Sequence, residues 1–404
     1  MAAASHRLAP GAAHAPQARS ARLRAKLAPA HTQNRARARV PQCSGQLAGH
    51  ASLTDMLEVA ITTRERAEFF ARAEREDTNA MRLFHGEEGC PGLAVDRYGS
   101  VALVQSWREP LNATQKAEVR EFLLSRIPAL NRVVFHLRGA AARRAAVKSG
   151  DSLGTVREDE VNEDLTTFRE LGLNYAFQPL RKGGDPSLFL DFRPVRRWVR
   201  DHSEGADVLN LFSYTCGIGV AAAAGGAASV LNVDHSQTYL DYGRTNAELN
   251  NVSMSNLAED FFPAARQLAG LPMKGRAVRN GRGRRGARAR RFSKMNPRCF
   301  DIVVLDPPTK TKTPFGAVDI KNDYAALSKP ALLATRPGGV LVASNHAHDV
   351  LAEDWIESVV RCGKKAGRPV ADARLLEVEC DDDDFRSPNK PHLLKVGLFT
   401  TEFV

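Results

Sequence analysis

The sequence lacks any apolar stretch near the ~20 residues that a membrane-spanning helix needs; its longest apolar runs are short and interrupted. That points to a soluble globular protein with no membrane partner. Cysteine is scarce: Cys43, Cys90, Cys216, Cys299, Cys362 and Cys380 are all there are in 404 residues. None stands in a C-x-x-C or faces a histidine at zinc spacing, so a disulfide framework and a structural metal are not expected and a reducing compartment is. Acid is missing altogether from two stretches. Residues 1–50 carry eight Lys/Arg, and Lys274 to Lys294 carry ten. Together these exceed the +11 of the whole chain, so the remainder is net acidic. Two acid-free arginine runs on an acidic protein read as one address and one polyanion contact.

Residues 1–50 also lack the apolar core of a secretory signal, and with their Ala and Arg content they read as a disordered organellar transit peptide. The Met-Ala-Ala-Ala-Ser start favours a chloroplast, while the arginine density would suit a mitochondrion. The second run, KGRAVRNGRGRRGARARRFSK, is too rich in Gly and Arg to fold alone. It is expected to be a disordered insertion, either filler or an RNA-grasping loop.

At 404 residues, 43% of them apolar, the chain has room for two or three domains. Its organising stretch begins at Ala206. Val208, Leu209, Leu211 and Phe212 form a β-prone run, a turn follows through Ser213-Tyr214-Thr215-Cys216-Gly217-Ile218-Gly219, and an Ala-rich helix comes next. Gly225-Gly226 breaks the helix, and a second apolar run, Ser229 to Val233, ends on Asp234. This is a βαβ unit with a carboxylate placed to grip a ribose diol. The third glycine of the dinucleotide fingerprint is absent, so something smaller than a dinucleotide is expected, or else an ordinary βαβ unit of an unrelated α/β enzyme. Downstream, the apolar strand Ile302 to Leu305 ends on Asp306-Pro307-Pro308-Thr309. The two prolines end ladder hydrogen bonding and stiffen the chain behind the carboxylate, at the strand end where an open sheet holds its substrate.

These stretches, with SLFLDFRPVRR and VDHSQTYL, resemble the class I S-adenosylmethionine-dependent methyltransferases. Within that class they look most like the guanine-N7 methyltransferase domain acting on large-subunit ribosomal RNA and its sister cytosine-5 family. The resemblance runs from about Asn79 to the C-terminus and is interrupted by the arginine-rich insertion. It implies an α/β class I methyltransferase (Rossmann-like) open sheet, mostly parallel with a C-terminal antiparallel strand. A small α+β domain over 51–164, which the family associates with RNA, would precede the methyltransferase domain at 165–404. It also implies S-adenosyl-L-methionine as cofactor, bound by Phe212, Tyr214, Thr215, Gly217, Gly219, Asp234, Ser236 and Asp260. Asp306, Pro307, Pro308 and Thr309 would form the catalytic loop, with Asn345 touching the ribosomal RNA and Arg193, on the first turn of its helix, facing either the RNA backbone or Asp191.

Secondary structure is expected as one helix over Leu53 to Glu76, then strands at Met81–Phe84, Gly92–Arg97 and Val101–Trp107. A helix from Asn112 to Arg126 and a strand from Arg132 to His136 follow. Leu165 to Pro179 has strand character, and Asp191 could cap the helix running through Val199. After the proline loop come a helix over Asp319 to Thr335, a strand over Val340 to Ala343, a helix over Glu353 to Lys365, and paired strands at Leu375–Glu379 and Leu394–Phe399. The acidic run Asp381 to Asp384 reads as a solvated loop.

Three target atoms remain distinguishable. Cytosine carbon 5 requires a cysteine nucleophile, which the sister family supplies after the fifth strand; here that loop reads Ser344-Asn345-His346-Ala347-His348. The H-x-H has no accompanying ligand cluster and does not suggest a metal. An exocyclic amine usually comes with an aromatic residue after the prolines, where Thr309 stands. Guanine N7 needs neither thiol nor base, and a nearby carboxylate would stabilise the cationic product ring. A non-catalytic RNA-binding assembly factor on the same fold is the competing class.

Overall fold

The computed structural model describes residues 52–149, 165–178, 184–273, 292–377 and 394–403. The expected transit peptide, nearly all of the arginine-rich insertion and the acidic run at 381–384 lie outside them.

The first layer comprises α1 (Leu53–Arg66), α2 (Phe69–Arg75), β1 (Ala80–Phe84), β2 (Leu93–Tyr98), β3 (Val101–Ser106), α3 (Ala113–Arg126), β4 (Arg132–Leu137) and α4 (Gly139–Ser149). Where the sequence suggested one N-terminal helix there are two, because Glu68 turns left-handed at φ 55° between α1 and α2. Capping boxes start α1 (Ser52 with Asp55) and α3 (Asn112 with Gln115). The strands pair in the order β1-β2-β3-β4, with β3 and β4 parallel across the α3 crossover. Strand β3 is buried throughout, and its alternation divides two cores. Ala102 and Val104 pack with Leu57, Ile61 and Leu123 from the helices. Val101 and Leu103 face Tyr98, Phe168, Tyr175 and Leu188.

Phe168 and Tyr175 belong to a hairpin, β5 (Thr167–Glu170) and β6 (Leu173–Ala176), turned at Leu171 and Gly172, both with positive φ. Its Glu170 is 1% exposed and takes both Arg193 and Arg196 of α5 (Arg193–His202). Arg193 also donates to the Ala80 carbonyl. The expectation that Arg193 touches RNA is therefore corrected: at 2% exposed it is an internal ion pair. Nor does Asp191 cap α5, which starts without a side-chain cap.

The remaining elements are β7 (Asp207–Leu211), α6 (Gly217–Ala224), β8 (Ser229–Asp234), α7 (Gln237–Glu248), β9 (Ser255–Ala258), α8 (Phe261–Leu268), β10 (Phe300–Leu305), β11 (Lys310–Lys312), β12 (Ala317–Asp319), α9 (Ala325–Ala334), β13 (Thr335–Asn345), α10 (Ala352–Ala366), β14 (Val370–Leu375) and β15 (Lys395–Thr401). Seven strands form one open sheet in the order β14-β15-β13-β10-β7-β8-β9. All pair in parallel except β15, antiparallel to both β13 and β14. This is the expected α/β Rossmann-like architecture behind a small N-terminal sheet. Two details differ. The run after Thr309 forms the β11–β12 hairpin before α9 begins, because the Asp319 side chain accepts the amides of Lys321 and Asn322 and turns the chain there. Strand β14 also ends at Leu375, where the sequence reading had it begin.

Candidate active site

Register carries the functional residues to one edge. Leu305 lies beside Leu211 and Ala343, Leu211 beside Val233, and Asp234 beside Ala258. The next residues along each strand, Phe212, Glu259, Asp306 and Ser344, therefore emerge together with Asp234 at the carboxyl ends. The chain reverses its winding between β7 and β10, the crevice where open α/β sheets hold ligands.

The turn from β7 to α6 holds three non-glycine residues at positive φ, Phe212 (59°), Tyr214 (50°) and Cys216 (61°). Such a conformation costs energy and persists where surrounding structure fixes it. Asp234 does part of that fixing. Its carboxylate accepts the amides of Tyr214 and Ser236, each at 2.9 Å. A carboxylate has about four acceptor positions, so the two amides leave room for further donors. His235 lies 3.3 Å from Asp234, whose hydrogen bond raises the imidazole pKa. Phe212 stacks on Phe261 with centroids 4.8 Å apart, and Tyr214 packs between Phe189 and Tyr239. Asp260 caps α8 through the Phe262 amide, while Glu259 is engaged by the amides of Asp260 and Ser293.

Other expected cofactor residues are occupied by the protein itself. Thr215 is 2% exposed and donates to the Ser187 carbonyl, and Ser236 caps α7. Packing leaves no room for a side chain at either glycine. A Cβ on Gly217 would meet Leu188, and one on Gly219 would strike Asn232. Asn232 is the centre of a buried ladder in which Asn210 donates to Asn232 (2.9 Å) and Asn232 to Asn256 (3.0 Å), across β7, β8 and β9.

At the other side of the crevice Asp306 follows β10, with Pro307 and Pro308 behind it. Ser344 donates to its carboxylate, and the Tyr324 hydroxyl in turn holds the Ser344 carbonyl at 2.8 Å. Burial pushes the Asp306 carboxyl up to about 7 against the lowering effect of Ser344. Thr309 shares a 2.7 Å hydrogen bond with Nε2 of His346, an imidazole whose pKa burial lowers. From the sequence Ser344 has no role, and His346 figures only as part of an H-x-H. The alignment of β10 with β13 was the signal, since it pairs the residues following Leu305 and Ala343. Asn345 is corrected: it is fully buried, donates to the Ile320 carbonyl and accepts the Ala347 amide, so it shapes the loop from inside and does not face substrate.

A family model for S-adenosylmethionine-dependent methyltransferases matches residues 81–271. A ribosomal RNA large subunit methyltransferase from Deinococcus radiodurans is 31% identical over 317 residues, covering 76% of this chain and 70% of that relative. The chain belongs to the S-adenosylmethionine-dependent methyltransferases. A ribosomal RNA large subunit methyltransferase K/L from Hahella chejuensis is 30% identical over 302 residues, covering 73% of this methyltransferase but 38% of the relative's own length. Among solved structures, SMU.776 in complex with SAH superposes with a TM-score of 0.61 at 20% identity, covering 88% of this chain and 83% of its own. That likeness supports the fold. The residues present fit the family's cofactor: a braced carboxylate at Asp234, the stacked rings of Phe212 and Phe261, and a second acid at Asp260 all lie at the carboxyl edge of the sheet.

Proposed function

We propose that this methyltransferase modifies large-subunit ribosomal RNA of an organelle at guanine N7, by direct in-line transfer. The names of the Deinococcus and Hahella relatives support the RNA class. The acid-free residues 1–50 are the basis for the organelle, with chloroplast preferred to mitochondrion. The observation carrying the target atom is the composition of the crevice around Asp306. Its hydrogen-bonding neighbour there is a hydroxyl, Ser344, the charges acting on it come from Asp191 and Arg196, and Thr309 farther along the loop is held by His346. Among the described residues the thiol nearest the turn, Cys216, is fully buried and pushed by burial up to about 12. It cannot supply a thiolate at neutral pH. Cys299 precedes β10 and bonds the Leu333 carbonyl, away from the carboxyl edge.

S-adenosylmethionine supplies an electrophilic methyl group on a sulfonium. Asp234 would hold the nucleoside end of that cofactor, with its carboxylate already aimed by two amides. Guanine N7 is nucleophilic without losing a proton, so the protein's tasks are alignment and charge stabilisation. An ionised Asp306 would stabilise the ring as it becomes cationic, while Pro307 and Pro308 keep the loop from yielding. Thr309, held by His346, would border the base. Mass spectrometry of organellar rRNA nucleosides with and without the protein tests this. Loss of 7-methylguanosine is expected; loss of 5-methylcytidine instead would overturn the N7 reading.

A further inference from the structure

We infer that α4 and the end of β3 form an RNA-docking surface leading into the active-site crevice. This rests on the ribosomal RNA reading above and names the surface that would hold the substrate outside the catalytic edge. The parallel strands β3 and β4 end side by side, Ser106 beside Leu137. Trp107 leaves β3 and is 37% exposed. The Arg138 guanidinium lies over its ring at 5.4 Å, a cation–π arrangement that leaves a charged plane and an aromatic plane together. Helix α4 starts against this ring, Gly139 being its neighbour. The helix carries Arg143, Arg144 and Lys148, all exposed, and no acid. Arg144 reaches the carbonyl of Arg108, so the helix and the Trp107 loop form one continuous surface.

That surface adjoins the crevice through hydrogen bonds. Arg138 pairs with Asp185, and His136 meets the Gly184 carbonyl at 2.9 Å. The Tyr214 hydroxyl, from the strained turn beside Asp234, donates to the Pro186 carbonyl at 2.9 Å. Residues 184–186 thus bridge the basic patch and the cofactor turn. Basic side chains that track phosphates, interleaved with an aromatic on which a base can stack, are the composition that binds unpaired RNA. A protein partner would be expected to engage a more apolar face; here the exposed groups are Trp107, Arg108, Arg143, Arg144 and Lys148, with Glu109 and Asp185 as the acids and Pro110, Ala145 and Val147 as the small apolar exceptions, so cations outnumber acids.

The test uses the full chain with a large-subunit rRNA fragment that the wild-type protein methylates; failure to find one refutes the ribosomal RNA reading itself, not the surface. In the triple variant Arg143→Ala, Arg144→Ala, Lys148→Ala, the slope of log affinity against log salt should flatten by roughly two, at ~0.7 for each phosphate no longer neutralised. The KM for RNA should rise while calorimetric affinity for S-adenosylmethionine holds. Trp107→Ala should weaken RNA binding roughly tenfold and Trp107→Phe should recover most of it. A triple variant with unchanged salt slope and KM, or a Trp107→Ala variant binding RNA as the wild type does, overturns the proposal.

Discussion

Removing the Ser344 hydroxyl should displace the pH profile of methyl transfer, in a direction and by an amount that the structure fixes. Burial raises the Asp306 carboxyl to about 7, and the Ser344 hydrogen bond is the interaction opposing that rise most strongly. At pH 7 about half of the wild-type protein therefore carries the carboxylate. A hydrogen bond to a charged group contributes ~1.5–3 kcal/mol, and each pK unit corresponds to about 1.4 kcal/mol. Ser344→Ala should then move Asp306 up by roughly one to two units, cutting the ionised fraction at pH 7 about 5- to 50-fold. If the carboxylate is the working form, single-turnover transfer at saturating RNA falls by that factor at pH 7 and recovers near pH 9. The wild-type rate should climb through pH 7 and level off above 8, and Asp306→Asn should be slow, by roughly 10²–10³-fold, at every pH. Stability must move the other way. A carboxyl whose folded pKa lies above its unfolded value loses stability as pH rises from about 4 to about 7, here at most ~4 kcal/mol. Asp306→Asn should accordingly melt higher than wild type at pH 8. A wild-type rate that is flat from pH 6 to 9, or a Ser344→Ala profile superimposed on it, refutes the reasoning.

Further outcomes concern the cofactor edge, the target atom and the scaffold. Asp234→Ala should weaken S-adenosylmethionine binding by about tenfold or more in calorimetry, since a charge-assisted hydrogen bond contributes ~1.5–3 kcal/mol and the strained turn loses a brace; unchanged affinity would remove Asp234 from the site. Cys216→Ser should leave transfer within an order of magnitude, and 5-fluorocytosine-containing RNA should trap no covalent complex on a denaturing gel; a trapped adduct would establish cytosine-5 chemistry. Glu170→Ala should destabilise the fold by roughly 3–5 kcal/mol in chemical denaturation, because two buried arginines lose their shared counter-charge. A loss below about 1 kcal/mol would show that water or neighbouring carbonyls already satisfy them.

The alternation and chain punctuation of the sequence determined the βαβ unit and the strand that ends on Asp306, because those signals are local. Asp234 and Asp306 could be singled out because each terminates an apolar run, and a strand's carboxyl end is legible from the run alone. What no local signal contained was register. Only pairing of β10 with β13 brings Ser344 to Asp306, and His346 to Thr309 across 37 residues of chain. Burial was equally invisible. Arg193 and Asn345 have polar side chains that suit a substrate, yet Glu170, distant in sequence, and the Ile320 carbonyl claim them inside the protein. The packing demand on the glycines was hidden for the same reason: that Gly217 meets Leu188 and Gly219 meets Asn232 depends on how α6 lies against its surroundings, a matter of packing between elements that a linear pattern does not record.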